Sequence, residues 1–187
     1  MHRSKTHKDM IVVNNKKELK ELIDQLIEER GPRCDLNDID VSKIVDMSEL
    51  FRDSKFNGDI SQWDVSNVKD MHSMFSNSRF NGDISVWDVS NVEDMRLMFY
   101  RSQFDGDISE WDVSSVEHMV GMFEKSRFNG DISKWDVTNV EDMTYMFEDS
   151  QFDGDLSEWD VTNVEDMYCM FLDSPLSGYE PKWYRPW

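Results

Sequence analysis

Cysteine is nearly absent, with Cys34 and Cys169 the only two in 187 residues. They lie between five and six steps of a repeat apart. At ~4.8 Å per stacked copy their separation is about 25 Å. A disulfide needs Cα atoms within about 7 Å, so the two cannot pair with each other and are free or intermolecular. Basic residues are few as well: 20 Lys and Arg face 39 Asp and Glu, for a net charge of -19. Residues 1–33 hold eight basic and six acidic residues, so the acid belongs to the remainder, with twelve and thirty-three. A nucleic-acid binder needs cations at phosphates, which argues against direct contact with DNA or RNA. An acidic field suits solubility, cations or a basic partner surface. Nowhere does an apolar run approach the roughly 18 residues of a membrane span. The opening MHRSKTHKDMIVVNNKKE has an apolar run of four, too short for a signal-peptide core, so the chain as given reads as cytoplasmic.

Reactive constellations are missing too. No nucleophile has a base at a recognisable spacing. His2 and His7 lie in the N-terminal tail, and His72 and His118 fall at different repeat phases. There is no metal-spaced Cys/His cluster and no phosphate-binding Gly loop. Carboxylate pairs abound, but a catalytic pair should break the symmetry of the repeat, and none does. The expectation is no enzyme and no cofactor.

What the chain does have is a period of 24. Trp63, Trp87, Trp111, Trp135, Trp159 and Trp183 keep that step. So do Gly58, Gly82, Gly106, Gly130, Gly154 and Gly178, and Met47, Met71, Met95, Met119, Met143 and Met167. All eleven Phe and eleven of thirteen Met fall at repeat positions, so the apolar residues are in register although the average residue is polar. A period of roughly 20 to 29 residues marks a leucine-rich-repeat-like array. The expected fold class is an α/β repeat: a right-handed leucine-rich-repeat-like solenoid with one short parallel strand and one short helix per 24-residue coil, and an N-terminal helical cap.

The organisation follows. Residues 1–33 form the cap. Met1 to Asp9 reads as frayed, Met10-Ile11-Val12-Val13 as a short strand, and Asn14 or Asn15 as an N-cap. Leu19, Leu22, Ile23, Leu26 and Ile27 then recur at helical spacing until Gly31-Pro32 stops the helix. A membrane-surface helix is the rival reading, weakened by its mixed charges. Residues 34–174 hold about six coils, starting with Cys34 in place of the aligned Gly. Residues 175–187, broken by Pro175, Pro181 and Pro186, form a C-terminal cap.

Within the copy from Phe80 to Phe99, Asn81-Gly82 reads as a turn with positive φ at Gly. Ile84, Trp87 and Val89 have the I-x-x-W-x-V spacing of a strand, with Trp and Val inward and Asp88 outward. Ser90-x-x-Glu93 reads as a capping box, repeated by Ser114 with Glu117, Thr138 with Glu141 and Thr162 with Glu165. Asp70, Asp94, Asp142 and Asp166 sit where a helix N-terminus would welcome charge. Val92, Met95, Met98 and Phe99 are spaced as one helical face. The Met columns read as core, not as metal ligands.

Two aspartate columns result. Asp40, Asp64, Asp88, Asp112, Asp136 and Asp160 should line the outer face of the sheet. Their repulsion could be relieved by local hydrogen bonds, raised pKa values, a cation or a basic partner. Asp35, Asp59, Asp83, Asp107, Asp131 and Asp155 follow the Gly and leave a calcium reading open, although the denser G-G-x-G-x-D pattern is absent. Positions that vary between copies are the ones a partner would read. These are Gln62, Val86, Glu110, Lys134 and Glu158 on the strand face. On the helix side they are Arg96, Leu97, Tyr100, Val120, Tyr145, Tyr168 and Leu172, an apolar set for an outward surface.

The repeated F-N-G-D-I-S-x-W-D-V-S-N-V-x-D-M-x-x-M-F, from about Asp35 to Phe171, resembles the repeat of BspA-like leucine-rich-repeat surface proteins, also called the mycoplasma-type lipoprotein repeat. The resemblance implies a leucine-rich-repeat-like fold and a protein-binding role, often adhesion at a bacterial surface, and supplies no catalytic residues. The reading is a non-enzymatic protein-binding module whose partner is another protein with a basic surface. Two alternatives stay open: an acidic decoy that imitates nucleic-acid phosphates, and a calcium-stabilised structural solenoid.

Overall fold

The computed structural model describes residues 10–185. The tail through Asp9 expected to fray, and Pro186 and Trp187 of the C-terminal cap, lie outside the described residues. The chain enters through β1 (Ile11–Val12), α1 (Lys16–Arg30) and β2 (Ile39–Asp40), with β1 parallel to β2. The caps of α1 follow from its sequence. The Asn15 side chain accepts from the Glu18 amide at 3.0 Å, and the Glu18 carboxylate accepts from the Asn14 amide at 2.9 Å. Gly31, with φ 86, ends the helix and returns its amide to the Ile27 carbonyl. Leu19, Ile23 and Leu26 are buried in the same core as the repeats.

Beyond β2, each 24-residue copy lies against the next. The Trp63 and Trp87 rings stack with centroids 6.4 Å apart and planes within 2°. Phe75 and Phe99 stack at 5.7 Å, and Phe80 and Phe104 at 6.3 Å. The five indoles from Trp63 to Trp159 are each only 4% exposed, with the Met and Phe columns beneath them buried completely or nearly so. Hiding one indole removes about 150–250 Å² from water, roughly 4–6 kcal/mol gross at ~25 cal/mol per Å². Every indole N–H also donates to a carbonyl 27 residues earlier, as Trp87 does to Ile60 at 3.2 Å and Trp111 to Ile84 at 3.1 Å.

The expected helix and strand in each copy are not found; among the described residues α1 is the one α-helix. The segment read as helical is instead a run of overlapping turns. In the copy around Met95, the amides of Met98, Tyr100 and Ser102 donate three residues back, to Met95, Leu97 and Phe99. The alternate amides of Met95, Leu97, Phe99 and Arg101 donate to the next copy, at His118, Val120, Met122 and Glu124. Leu97 (φ 54) and Arg101 (φ 50) stand third in their turns, where a type II turn demands positive φ. The same two phases recur through Cys169 and Asp173, and glycine fills only one of them, Gly121. An α-helix would use its amides internally; this backbone sends every second one to a neighbouring copy.

The capping boxes are likewise not formed. Ser90, Ser114, Thr138 and Thr162 each give hydroxyl and amide to the aspartate two residues earlier, as Ser90 does to Asp88 at 2.6 and 3.1 Å. Nor is a ladder built through Trp-Asp-Val. There the copies are tied by side chains: Asn67 Nδ2 donates to the Ser42 carbonyl and Asn91 Nδ2 to Ser66, both at 2.8 Å. Single-residue parallel pairings run instead through Asp46, Asp70, Asp94, His118, Asp142 and Asp166. Finally, Gly82 does not need positive φ. A Cβ there would come within 2.8 Å of the Phe80 ring and 3.0 Å of the Gly58 carbonyl, so close approach explains that column.

Candidate functional site

The outward aspartates Asp64, Asp88, Asp112, Asp136 and Asp160 are all exposed, and each is locked by the hydroxyl residue two positions on. Those hydroxyls, and then the amides beside them, hold Asp112 and Asp160 below the ordinary carboxylate range. Local hydrogen bonding rather than proton uptake therefore relieves the column at these two positions. The post-glycine column behaves alike. The amides of Ser85, Ser109, Ser133 and Ser157, and then their hydroxyls, lower Asp83, Asp107, Asp131 and Asp155. Asp59 is lowered by the Ser61 amide and then by Asn37. These carboxylates are ionised anchors of turns.

The variable strand-face positions Gln62, Val86, Glu110, Lys134 and Glu158 are exposed, Val86 at 72%. On the other side Leu97, Tyr100, Val120 and Tyr145 are half-buried, and Arg96, Tyr168 and Leu172 are exposed. Leu97 and Tyr145 occupy positive-φ turn positions. The Tyr145 and Tyr168 rings meet edge-on at 5.7 Å, and Arg101 lies 5.2 Å over the Tyr100 ring.

A third acidic column was misread as helix-end charge. It comprises the residues of the parallel pairings, Asp46, Asp70, Asp94, Asp142 and Asp166, with His118 interrupting. Its signal was present, an acid just before each Met of the 24-step series, but it gained meaning only once the helix was absent. Each carboxylate accepts the amide two residues on, as Asp70 does from His72 at 2.9 Å and Asp142 from Thr144 at 2.8 Å. Asp70, His72 and Asp94 bring their ligand atoms within 4.8 Å of one another. The positive charge there is already supplied by protein, because Arg96 Nε reaches both Asp94 oxygens at 3.0 and 2.9 Å. Burial pushes the Asp94 carboxyl up, and the bonds from Arg96 outweigh that and lower it.

Cations are unevenly shared along this face. Lys16 pairs with Asp46, Lys69 with Glu93, His72 Nδ1 lies 2.9 Å from Asp70, and Arg96 pairs with Asp94. Farther on, Glu117, Glu141, Glu165, Asp142 and Asp166 make no ion pair among the described residues. Glu141, Asp142, Glu165 and Asp166 line a cleft of about 300 Å³ with Arg96, His118 and Val120.

A protein-family model described as "Mycoplasma protein of unknown function, DUF285" matches residues 19–127 and 101–176. The chain belongs to this family. The match takes in α1 and the 24-residue copies alike, so cap and repeats fall within one family pattern. No curated protein and no solved structure matches. Among the described residues no helix is long and apolar enough to cross a membrane. Both cysteines are free, Cys34 buried and Cys169 half-buried, and burial raises the Cys34 thiol.

Proposed function

We propose that the chain is a non-enzymatic protein-binding module, a right-handed leucine-rich-repeat-like solenoid of the BspA-like kind that holds an acidic surface toward a basic partner protein. The stacked rings and the constant offset of the inter-copy hydrogen bonds support the solenoid reading. The observation that carries the binding role is the charge imbalance of residues 117–166, where carboxylates follow one another without the cations that accompany their counterparts in residues 46–96. A protein that needed those charges only for folding would neutralise them alike throughout. The variable strip of Gln62, Val86, Glu110, Lys134 and Glu158, with Leu97, Tyr100, Tyr145 and Tyr168 opposite, supplies positions by which one partner is told from another.

The test is affinity capture with the full chain as bait, repeated with Glu110→Lys plus Glu158→Lys and with Tyr145→Ala. Capture of a basic protein that weakens with salt and with these changes is expected. A captured protein indifferent to all of them would remove the proposed surfaces. Displacement of that protein by duplex DNA would favour the acidic-decoy alternative.

A further inference from the structure

Every copy hands the same amides forward. Met143, Tyr145, Phe147 and Asp149 donate to the carbonyls of Asp166, Tyr168, Met170 and Leu172 at 2.9, 3.0, 2.9 and 2.8 Å. One step on, the corresponding donors are Met167, Cys169, Phe171 and Asp173. The Phe171 amide lies against the Tyr184 hydroxyl. The amides of Met167, Cys169 and Asp173 meet no acceptor among the described residues, and neither does the Glu165 carbonyl meet a donor. The apolar core at this end is closed, because Trp183 stacks on Trp159 at 6.3 Å and Tyr184 meets Phe171 edge-on at 5.0 Å. The backbone edge is not. The opposite end has α1, whose Lys16 reaches Asp46 and Ser48.

Resting on the protein-binding reading above, we infer that the edge formed by residues 165–173 takes up an extended, basic segment of another protein as one further rung of the stack. The chemistry of the edge selects the occupant. Its amides at 167, 169 and 173 require carbonyls at alternate residues of a segment running parallel, and the Glu165 carbonyl requires one amide just before them. The interior copies show the same offsets, with the Glu165 amide on Glu141 and the Asp166 carbonyl on Met143. Main-chain bonds of this kind give affinity without fixing sequence. Sequence preference comes from what flanks them: the exposed carboxylates of Glu165, Asp166 and Asp173 call for Lys or Arg, and Tyr168 and Leu172, 51% and 43% exposed, call for an apolar neighbour. A second copy of this chain fits poorly. Two such edges would set donor against donor, and the matching segment at its other end, at Ser48 and Leu50, is buried.

Amide hydrogen exchange on the full, isotope-labelled chain reads the edge directly. In the free protein the Cys169 and Asp173 amides should exchange at least about tenfold faster than their counterparts Tyr145 and Asp149. The probe is a blocked eight-residue peptide of alternating Lys and Leu at about 1 mM, with a Glu-for-Lys peptide as control. The Lys peptide should slow Met167, Cys169 and Asp173 selectively, and the Glu peptide should not. Edge amides already as protected as Tyr145 overturn the inference, as does failure of the Lys peptide to bind. Binding that leaves the edge amides unchanged overturns it while keeping the acidic-surface reading alive. Protection accompanied by a dimer in sedimentation, without peptide, would reassign the edge to self-association.

Discussion

Residues 14–30 and residues 114–126 present similar signals. Each offers a polar cap followed three residues later by glutamate, and each spaces its apolar residues for one face of a helix. Only the first is α-helical. The difference lies in where the amides go. In α1 the backbone bonds to itself over fifteen residues, long enough to offset nucleation once its apolar face is packed. In 114–126 a neighbouring copy offers carbonyls at a fixed distance, and alternate amides of residues 117–125 donate to neighbouring copies. Inward residues every third position serve a chain of three-residue turns as well as a helix, so spacing alone could not separate the two.

Proline separates the regions most sharply. Glu21→Pro should remove a helical hydrogen bond of α1 and cost about 3 kcal/mol or more. Val120→Pro should cost less than about 1 kcal/mol, because position 120 is second in a type II turn, where proline is favoured. Its amide makes no hydrogen bond among the described residues; in the neighbouring copies the equivalent amide binds an aspartate, and here His118 replaces it. Urea unfolding followed by tryptophan fluorescence checks both. A loss near 3 kcal/mol at position 120 would restore the helix.

Capping comes next in size. Asn15→Ala should cost about 1 kcal/mol, the usual loss for a working N-cap. Glu117→Ala should leave the midpoint unchanged or slightly raised. Its carboxylate caps nothing, stands between Glu93 and Glu141 in the stack, and has no ion pair. Thermal melts of the two variants side by side decide it, and an equal loss in both would mean the box at Ser114 forms.

The core and the cap were legible because their physics is local or strictly periodic. Asn15, Gly31 and the apolar face of α1 specify a helix without outside help, and identical steps of Trp, Phe and Met specify that like packs on like. The turns were not legible, because positive φ is usually announced by glycine and here Glu49, Ser73, Leu97, Tyr145 and Cys169 adopt it. Tertiary hydrogen bonds from the next copy impose that conformation, and they leave no mark within a single copy. The Gly column misled in the opposite sense, marking crowding where a turn was expected. Of the candidate site, exposure of the variable strip and of the aspartates followed from the period. The Asp70, His72 and Asp94 grouping did not, because it depends on a pairing column that appears only without the helix.

The smallest expected effect is the most diagnostic in sign. Glycine in a helix interior costs roughly 1 kcal/mol relative to alanine, so Lys17→Gly in α1 should lower stability by about that order. Asp149→Gly should instead raise it by roughly 0.5 kcal/mol, the relief of a left-handed residue set against the greater freedom glycine gives the unfolded chain. Asp149 is exposed, its φ is 51, and its amide bond to Leu172 survives the change. Gly121, at the other left-handed phase one copy earlier, shows that the fold accepts glycine in such a turn. Removing one carboxylate from an acidic chain acts in the same direction, so Asp149→Asn serves as the control for charge alone. A gain with glycine beyond that with asparagine assigns the effect to the backbone, and a loss with glycine would place residue 149 in an ordinary right-handed conformation and undo the turn assignment for the whole series.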